Sequence, residues 1–158
     1  MNKSEAYKWA AKRVRAQVLR SIDVVATLAN TSAILKEYFP DYFWVGFYFY
    51  KKDYLLMGPF QGPPACVKLS VDHGVCAACA AQGKTIIVPD VHQFHGHVAC
   101  DARSNAEIVV PVYDKAGTLR AVLDVDSEMV NDFDQEDAQG LEKIAGLLQD
   151  IWPENSEH

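Results

Sequence analysis

Leu119-Arg120-Ala121-Val122-Leu123-Asp124-Val125-Asp126 decides the fold. Its side chains alternate without a break. Leu119, Ala121, Leu123 and Val125 face one way, and Arg120, Val122, Asp124 and Asp126 face the other, the period of a β-strand. Upstream, Asp114-Lys115-Ala116-Gly117 reads as a turn and residues 107–113 as the neighbouring strand. Downstream, Asp134 is an N-cap with Asp137 three residues on, opening a last helix. Leu141, Ile144, Ala145, Leu148 and Ile151 form its buried stripe, and Pro153 ends it. The tail beyond is expected to fray.

The same change of period recurs earlier. Over residues 43–50, Phe43, Val45, Phe47 and Phe49 share one strand face, and Trp44, Gly46, Tyr48 and Tyr50 the other. Lys51-Lys52-Asp53 turns the chain, and residues 54–59 return as a hairpin partner. Gln61-Gly62-Pro63-Pro64 is a loop, and residues 66–69 a short strand. Gly74 opens a short Ala-rich helix over 75–82, closed by Gly83. Residues 85–88 form a strand stopped by Pro89. Residues 90–105 show no period, and a loop of that length in a compact domain points to function.

Before the first strand come two helices. Tyr7, Ala10, Ala11, Val14 and Val18 make a helical stripe within residues 1–20. Val24, Leu28, Leu35 and Phe39 make another within 21–39, stopped by Pro40. The two are expected to pair as an antiparallel layer. The order predicts an α+β fold: a central, largely antiparallel sheet, helices covering one face, and a long loop over the other.

The chain has 158 residues, 49% of them hydrophobic, enough for one domain with a proper core. A net charge of −6 with no basic patch argues against nucleic acid or an anionic membrane as partner. No run is apolar enough to span a membrane, and the N-terminus lacks a signal-peptide pattern. A cytoplasmic location is expected. Four cysteines there read as free thiols, metal ligands or redox groups before structural bridges.

All four cysteines and four of the five histidines fall between Cys66 and Cys100. Cys76-Ala77-Ala78-Cys79 has a CxxC spacing, and a zinc site would add two of His92, His95, His97 and Cys100. It sits on a predicted helix without a knuckle turn, and Cys79 reads as a packed, inert thiol. Cys66 and Cys100 instead border loops beside charge and turn residues, where a thiolate can form and be reached. Such a pair suits a nucleophile and a resolver acting on an oxidised substrate. The histidines read as loop caps or as tuners of the thiol.

Asp124 and Asp126 share a strand face that is either solvated or a pocket floor. In the second case Glu107 joins them from the next strand, and Trp44 and Tyr48 supply an aromatic wall. Carboxylates beside aromatic faces attract an ammonium group. Crowding raises at least one carboxyl pKa, and the protonated acid can then protonate a departing oxygen.

Several segments together are similar to the free methionine-(R)-sulfoxide reductases. They are Trp44-Val45-Gly46-Phe47-Tyr48, Gly58-Pro59-Phe60-Gln61-Gly62, Ala65-Cys66-Val67, Gly74-Val75-Cys76 and Pro89-Asp90-Val91-His92. Gly96-His97-Val98-Ala99-Cys100-Asp101, Ser104-Asn105-Ala106-Glu107 with Ile108 to Pro111, and Val122-Leu123-Asp124-Val125-Asp126-Ser127 complete the set. The resemblance spans about residues 22–150 and implies a GAF fold. It implies that Cys100 attacks the sulfoxide sulfur, that Cys66 closes a disulfide on the resulting sulfenic acid, and that Cys76 is a secondary resolver. It further implies pocket acids Glu107, Asp124 and Asp126, an aromatic wall of Trp44 and Tyr48, a thioredoxin-type reductant and a homodimer. Neither a cofactor nor a metal is expected. The chain departs from the family pattern at Ala77-Ala78, where Gly-Thr is usual, at the extra Cys79, and at Phe43, where Asn is common. The rival readings are a non-catalytic GAF-type small-molecule sensor and a zinc-binding structural module.

Overall fold

The computed structural model describes residues 1–97 and 100–154; Val98 and Ala99 of the Gly96–Asp101 motif, and the tail from 155 on, lie outside the described residues. Helix α1 spans Lys3–Leu19 and α2 Val24–Tyr38. Asn2 caps the first by accepting from the Glu5 N–H, and Asp23 caps the second by accepting from the Ala26 N–H. Strands follow at Trp44–Tyr50 (β1), Tyr54–Gln61 (β2) and Lys68–Ser70 (β3), then helix α3, Val75–Gln82. Ile86–Val88 (β4), Ala106–Tyr113 (β5), Leu119–Ser127 (β6) and helix α4, Gln135–Leu147, complete the regular elements.

The six strands form one antiparallel sheet in the order β3-β2-β1-β6-β5-β4. Alternation divides its side chains as the sequence predicts. Val45, Phe47 and Phe49, with Ile108, Val110, Val112, Ala121, Leu123 and Val125, pack under the outer helices. Their partners include Tyr7, Ala10, Val14, Leu28, Leu35, Leu141, Ile144 and Leu148. The opposite face carries Trp44, Tyr48, Val109 and Val122, and α3 covers it with Val75, Cys76 and Cys79. The sheet therefore has two cores, a large apolar one under α1, α2 and α4 and a smaller one under α3.

A buried polar knot fixes the helical layer. Asp134 and Asp137 form a reciprocal capping box at the start of α4. The Asp137 carboxylate also accepts from Tyr7 Oη at 2.6 Å and from Lys3 Nζ at 2.8 Å, which ties α1 to α4. Tyr7 and Tyr42 share a hydrogen bond between their hydroxyls, extending the knot to the approach of β1.

Local expectations shift in three places. The strand expected over 66–69 runs from Lys68 to Ser70, and Cys66 lies before it. Pairing with β2 begins only past Pro63-Pro64, where the Met57 N–H reaches the Val67 carbonyl. The aperiodic loop opens with a single 3-10 turn, Val91–Gln93, capped by Asp90; three residues are too few to show a period. Leu148 and Ile151 belong to a terminal 3-10 turn, not to α4 itself, yet both are buried as the stripe requires.

Candidate active site

Register brings the acids together. Asp126 pairs with Trp44 on one side and Glu107 on the other, and Asp124 pairs with Gly46 and Val109. Trp44, Asp126 and Glu107 thus form one row across three central strands. All of them point to the α3 side, because side chains in register on neighbouring strands share a face. Glu107 and Asp124 are buried, and Asp126 is half-buried. Of the two readings of this face, the pocket floor is the one the fold adopts.

The aromatic wall is layered. Trp44 stacks on Phe60 with ring centroids 5.1 Å apart and on Tyr48 at 5.7 Å. Gly46 makes room for it: a Cβ there would fall 2.3 Å from the Phe60 Cβ. Tyr48 is 2% exposed, and its hydroxyl donates to the Cys66 carbonyl at 2.8 Å.

Above this floor Cys66 and Cys100 form a disulfide, with Cα atoms 5.5 Å apart and 34 residues between them in sequence. A cavity of about 650 Å³, counting its open mouth, lies between disulfide, floor and α3. Trp44, Tyr48, Cys76, Cys100, Glu107, Asp124 and Asp126 all line it, and Cys66 joins through its bond to Cys100. No lysine or arginine is among the described residues that line it.

Withdrawal from water dominates the electrostatics. Burial, then the charges of Asp124 and Asp126, pushes the Glu107 carboxyl well above the ordinary range. Burial and the Asp124 charge do the same to Asp126. Burial also raises Asp124, but hydrogen bonds from Glu107 and Cys76 oppose the rise. The cluster therefore reads as a protonated Glu107 donating to an Asp124 carboxylate. Burial and these acids push the Cys76 thiol up, and burial pushes Cys79 up to about 12, so both rest as thiols.

The other candidates separate. Cys79 is fully buried in the apolar cluster of Val88, Val91, Val109 and Val122. His92 and His95 are exposed, and His92 meets Asn105 at 3.0 Å, a loop-bracing contact. His97 is half-buried and lines the cavity; burial, then His92, lowers its pKa. Among the described residues, the four-ligand zinc arrangement of Cys76, Cys79 and two of the histidines or Cys100 is not assembled. Cys100 is bonded to Cys66, and Cys79 points into the apolar cluster.

Two titratable lining residues escaped the sequence reading as site residues, His73 and Asp101. Asp101 is held to about 2 by Arg103, which grips it through Nε at 3.0 Å and Nη2 at 2.7 Å. The Arg103 guanidinium in turn lies 4.7 Å over the Phe43 ring. Only adjacency to Cys100 could have drawn attention to Asp101, since the loop around it has no period. Three of the buried polar atoms without a hydrogen-bond partner among the described residues, Trp44 Nε1, His97 Nδ1 and Asp124 Oδ1, belong to lining residues.

Comparison with known proteins places this architecture. A family model described as GAF domain matches residues 21–152. The free methionine-R-sulfoxide reductase of Escherichia coli is 43% identical over 151 residues, 96% of this chain and 91% of that protein. The protein of the same name from Saccharomyces cerevisiae is 37% identical, over 80% of this chain and 74% of its own length. The X-ray structure of free methionine-R-sulfoxide reductase from Neisseria meningitidis in complex with its substrate superposes with a TM-score of 0.90. It is 40% identical and covers 96% of this chain and 90% of its own. The fold is thus that of a GAF domain, and the chain belongs to the free methionine-R-sulfoxide reductase family. No described helix is long and apolar enough to cross a membrane.

Proposed function

We propose that the protein reduces free L-methionine-(R)-sulfoxide to L-methionine. One observation carries the reading: the Cys66–Cys100 disulfide closes over a cavity floored by three carboxyls and, among the described residues, lined by no lysine or arginine. Such a floor attracts an ammonium group and supplies a proton, while the disulfide is the oxidised end of a thiol cycle.

In the reduced protein, the Cys100 thiolate attacks the sulfoxide sulfur. Protonated Glu107 gives its proton to the sulfoxide oxygen, so that charge does not build up on it. The oxygen passes to the Cys100 sulfur, methionine leaves with the electron pair on its thioether, and Cys100 becomes a sulfenic acid. The Cys66 thiol then attacks that sulfur; its proton leaves with the sulfenic hydroxyl as water, and the disulfide forms. A thioredoxin-type dithiol reopens it in two exchange steps and is itself oxidised. Asp124 and Asp126 hold the substrate ammonium, Trp44 and Tyr48 flank its side chain, and Trp44 Nε1 offers a donor to its carboxylate. Cys76 serves as a secondary resolver; burial holds it as a thiol, which makes it a poor nucleophile.

The cycle needs a reducing compartment, which supports a cytoplasmic location. The protein works as a homodimer in this reading; Leu19 and Ile22, exposed at the turn between α1 and α2, supply apolar surface for such a contact.

Thioredoxin-coupled turnover of free L-methionine-(R)-sulfoxide tests the proposal. The wild type should consume reductant and Cys100→Ser should not. Absence of turnover by the wild type, with reduced thiols verified, overturns it.

A further inference from the structure

We propose that Cys76, Glu107 and Asp124 form a binding site for a borderline-soft divalent cation of the zinc type, which reversibly blocks the cavity. One ligand atom from each of the three residues lies within 4.8 Å of the other two, and all three residues are buried. They converge from three rigid elements: the first turn of α3, the start of β5, and the middle of β6. A second observation is independent of that clustering. Asp124, only 6% exposed, lines the cavity with a buried oxygen, Oδ1, that no donor among the described residues reaches.

The donor set selects the ion. One sulfur with two carboxylate oxygens suits zinc, whereas magnesium and calcium take oxygen ligands alone. Three protein ligands leave the fourth tetrahedral position to solvent on the cavity side. The disulfide between Cys66 and Cys100 consumes neither Cys76 nor its neighbours, so the site persists in the oxidised protein. Binding is not redox chemistry. The protons of the Cys76 thiol and the Glu107 carboxyl go to water, and the freed sulfur and oxygen lone pairs go to the metal. The blocking role rests on the reading of this cavity as the sulfoxide site, because the ion takes Asp124 and Glu107 away from the substrate.

Cobalt(II) is the probe, added to the disulfide form, where Cys76 and Cys79 are the free thiols. A thiolate-to-cobalt charge-transfer band should appear, saturate at one ion per chain, and collapse on addition of zinc. Cys76→Ser should abolish the band and Cys79→Ser should keep it. Asp124→Asn should weaken affinity at least about tenfold, the least expected for a lost ligand. No band in the wild type, a band surviving in Cys76→Ser, or its loss in Cys79→Ser overturns the site. Should Cys76→Ser fail to fold, unchanged affinity in Asp124→Asn overturns it equally. The band is read without turnover, so it stands or falls apart from the reductase reading. Free methionine sulfoxide should displace the cobalt; if it does not, the blocking role is wrong even where the band is present.

Discussion

The Tyr48 hydroxyl donates a hydrogen bond to the Cys66 carbonyl, 2.8 Å away, and so ties the loop that carries one sulfur to the central strand beneath it. Cys66 itself belongs to no strand, and Pro63 and Pro64 just before it lack N–H groups to anchor it. Tyr48→Phe keeps the ring and removes the tether. A hydrogen bond of this kind contributes about 0.5–1.5 kcal/mol, so disulfide formation should slow roughly 2- to 10-fold. The first release of methionine should stay close to the wild-type rate. Rapid-quench measurement of both steps checks this; an unchanged rate of disulfide closure refutes the tether.

Glu107→Gln should trade activity for stability. The folded protein holds the Glu107 proton well above the ordinary carboxylate range, chiefly through burial. The stability that goes with that proton is fully present below the unfolded pKa of about 4.3 and is lost as pH rises through the raised folded value. Glutamine never ionises and still offers a donor to Asp124. The variant should therefore gain on the order of 1 kcal/mol or more at about pH 8 and nothing near pH 4. Its turnover should fall roughly 100-fold or more, as expected for a lost general acid. Urea denaturation at the two pH values, beside the turnover assay, reads both effects.

An N-acetylated methionine sulfoxide should be a very poor substrate. The floor offers carboxyl groups, and no lysine or arginine is among the described lining residues, so an uncharged amide leaves the Asp124 carboxylate without a counter-charge. Turnover of the N-acetyl compound comparable to that of the free amino acid would show that the acids do not read the ammonium.

Gly46→Ala should disturb the wall from beneath. The added Cβ would fall 2.3 Å from the Phe60 Cβ and 2.8 Å from the Pro59 carbonyl oxygen, so β1 and β2 must part. Overpacking of this kind costs about 1–3 kcal/mol. Because Phe60 stacks on Trp44, the indole should shift too, raising KM more than it lowers kcat. Denaturation and intrinsic tryptophan fluorescence test the first effect, and steady-state kinetics the second.

The sheet is legible in the sequence because its central strands face two different environments. Leu123 and Val125 alternate with Asp124 and Asp126, and the structure sends one set to the helical core and the other to the cavity. Alternation alone does not say whether the acidic face meets water or a roof. That depends on α3, whose helix of small residues packs over Val109 and Val122, a long-range contact with no local signature. The loop after Pro89 is opaque for a related reason. His92 and Asn105 brace one another across thirteen residues, and Arg103 grips Asp101 while lying over Phe43 from another element. None of these partners is recognisable from spacing. The CxxC spacing misleads because three residues of helix place Cys76 against Glu107 and Asp124 and Cys79 among valines.

The row from Trp44 through Asp126 to Glu107 crosses three strands of one sheet. Neighbouring strands are spaced about 4.8 Å apart, so the row measures about 10 Å from end to end. That length is set by backbone hydrogen bonds, and no exchange of side chains can stretch it. The floor therefore acts as a fixed gauge cut to the size of a single small amino acid. Broadening the range of accepted molecules would have to come from the roof, through α3 or the loop bearing Cys100, where no ladder dictates the dimension.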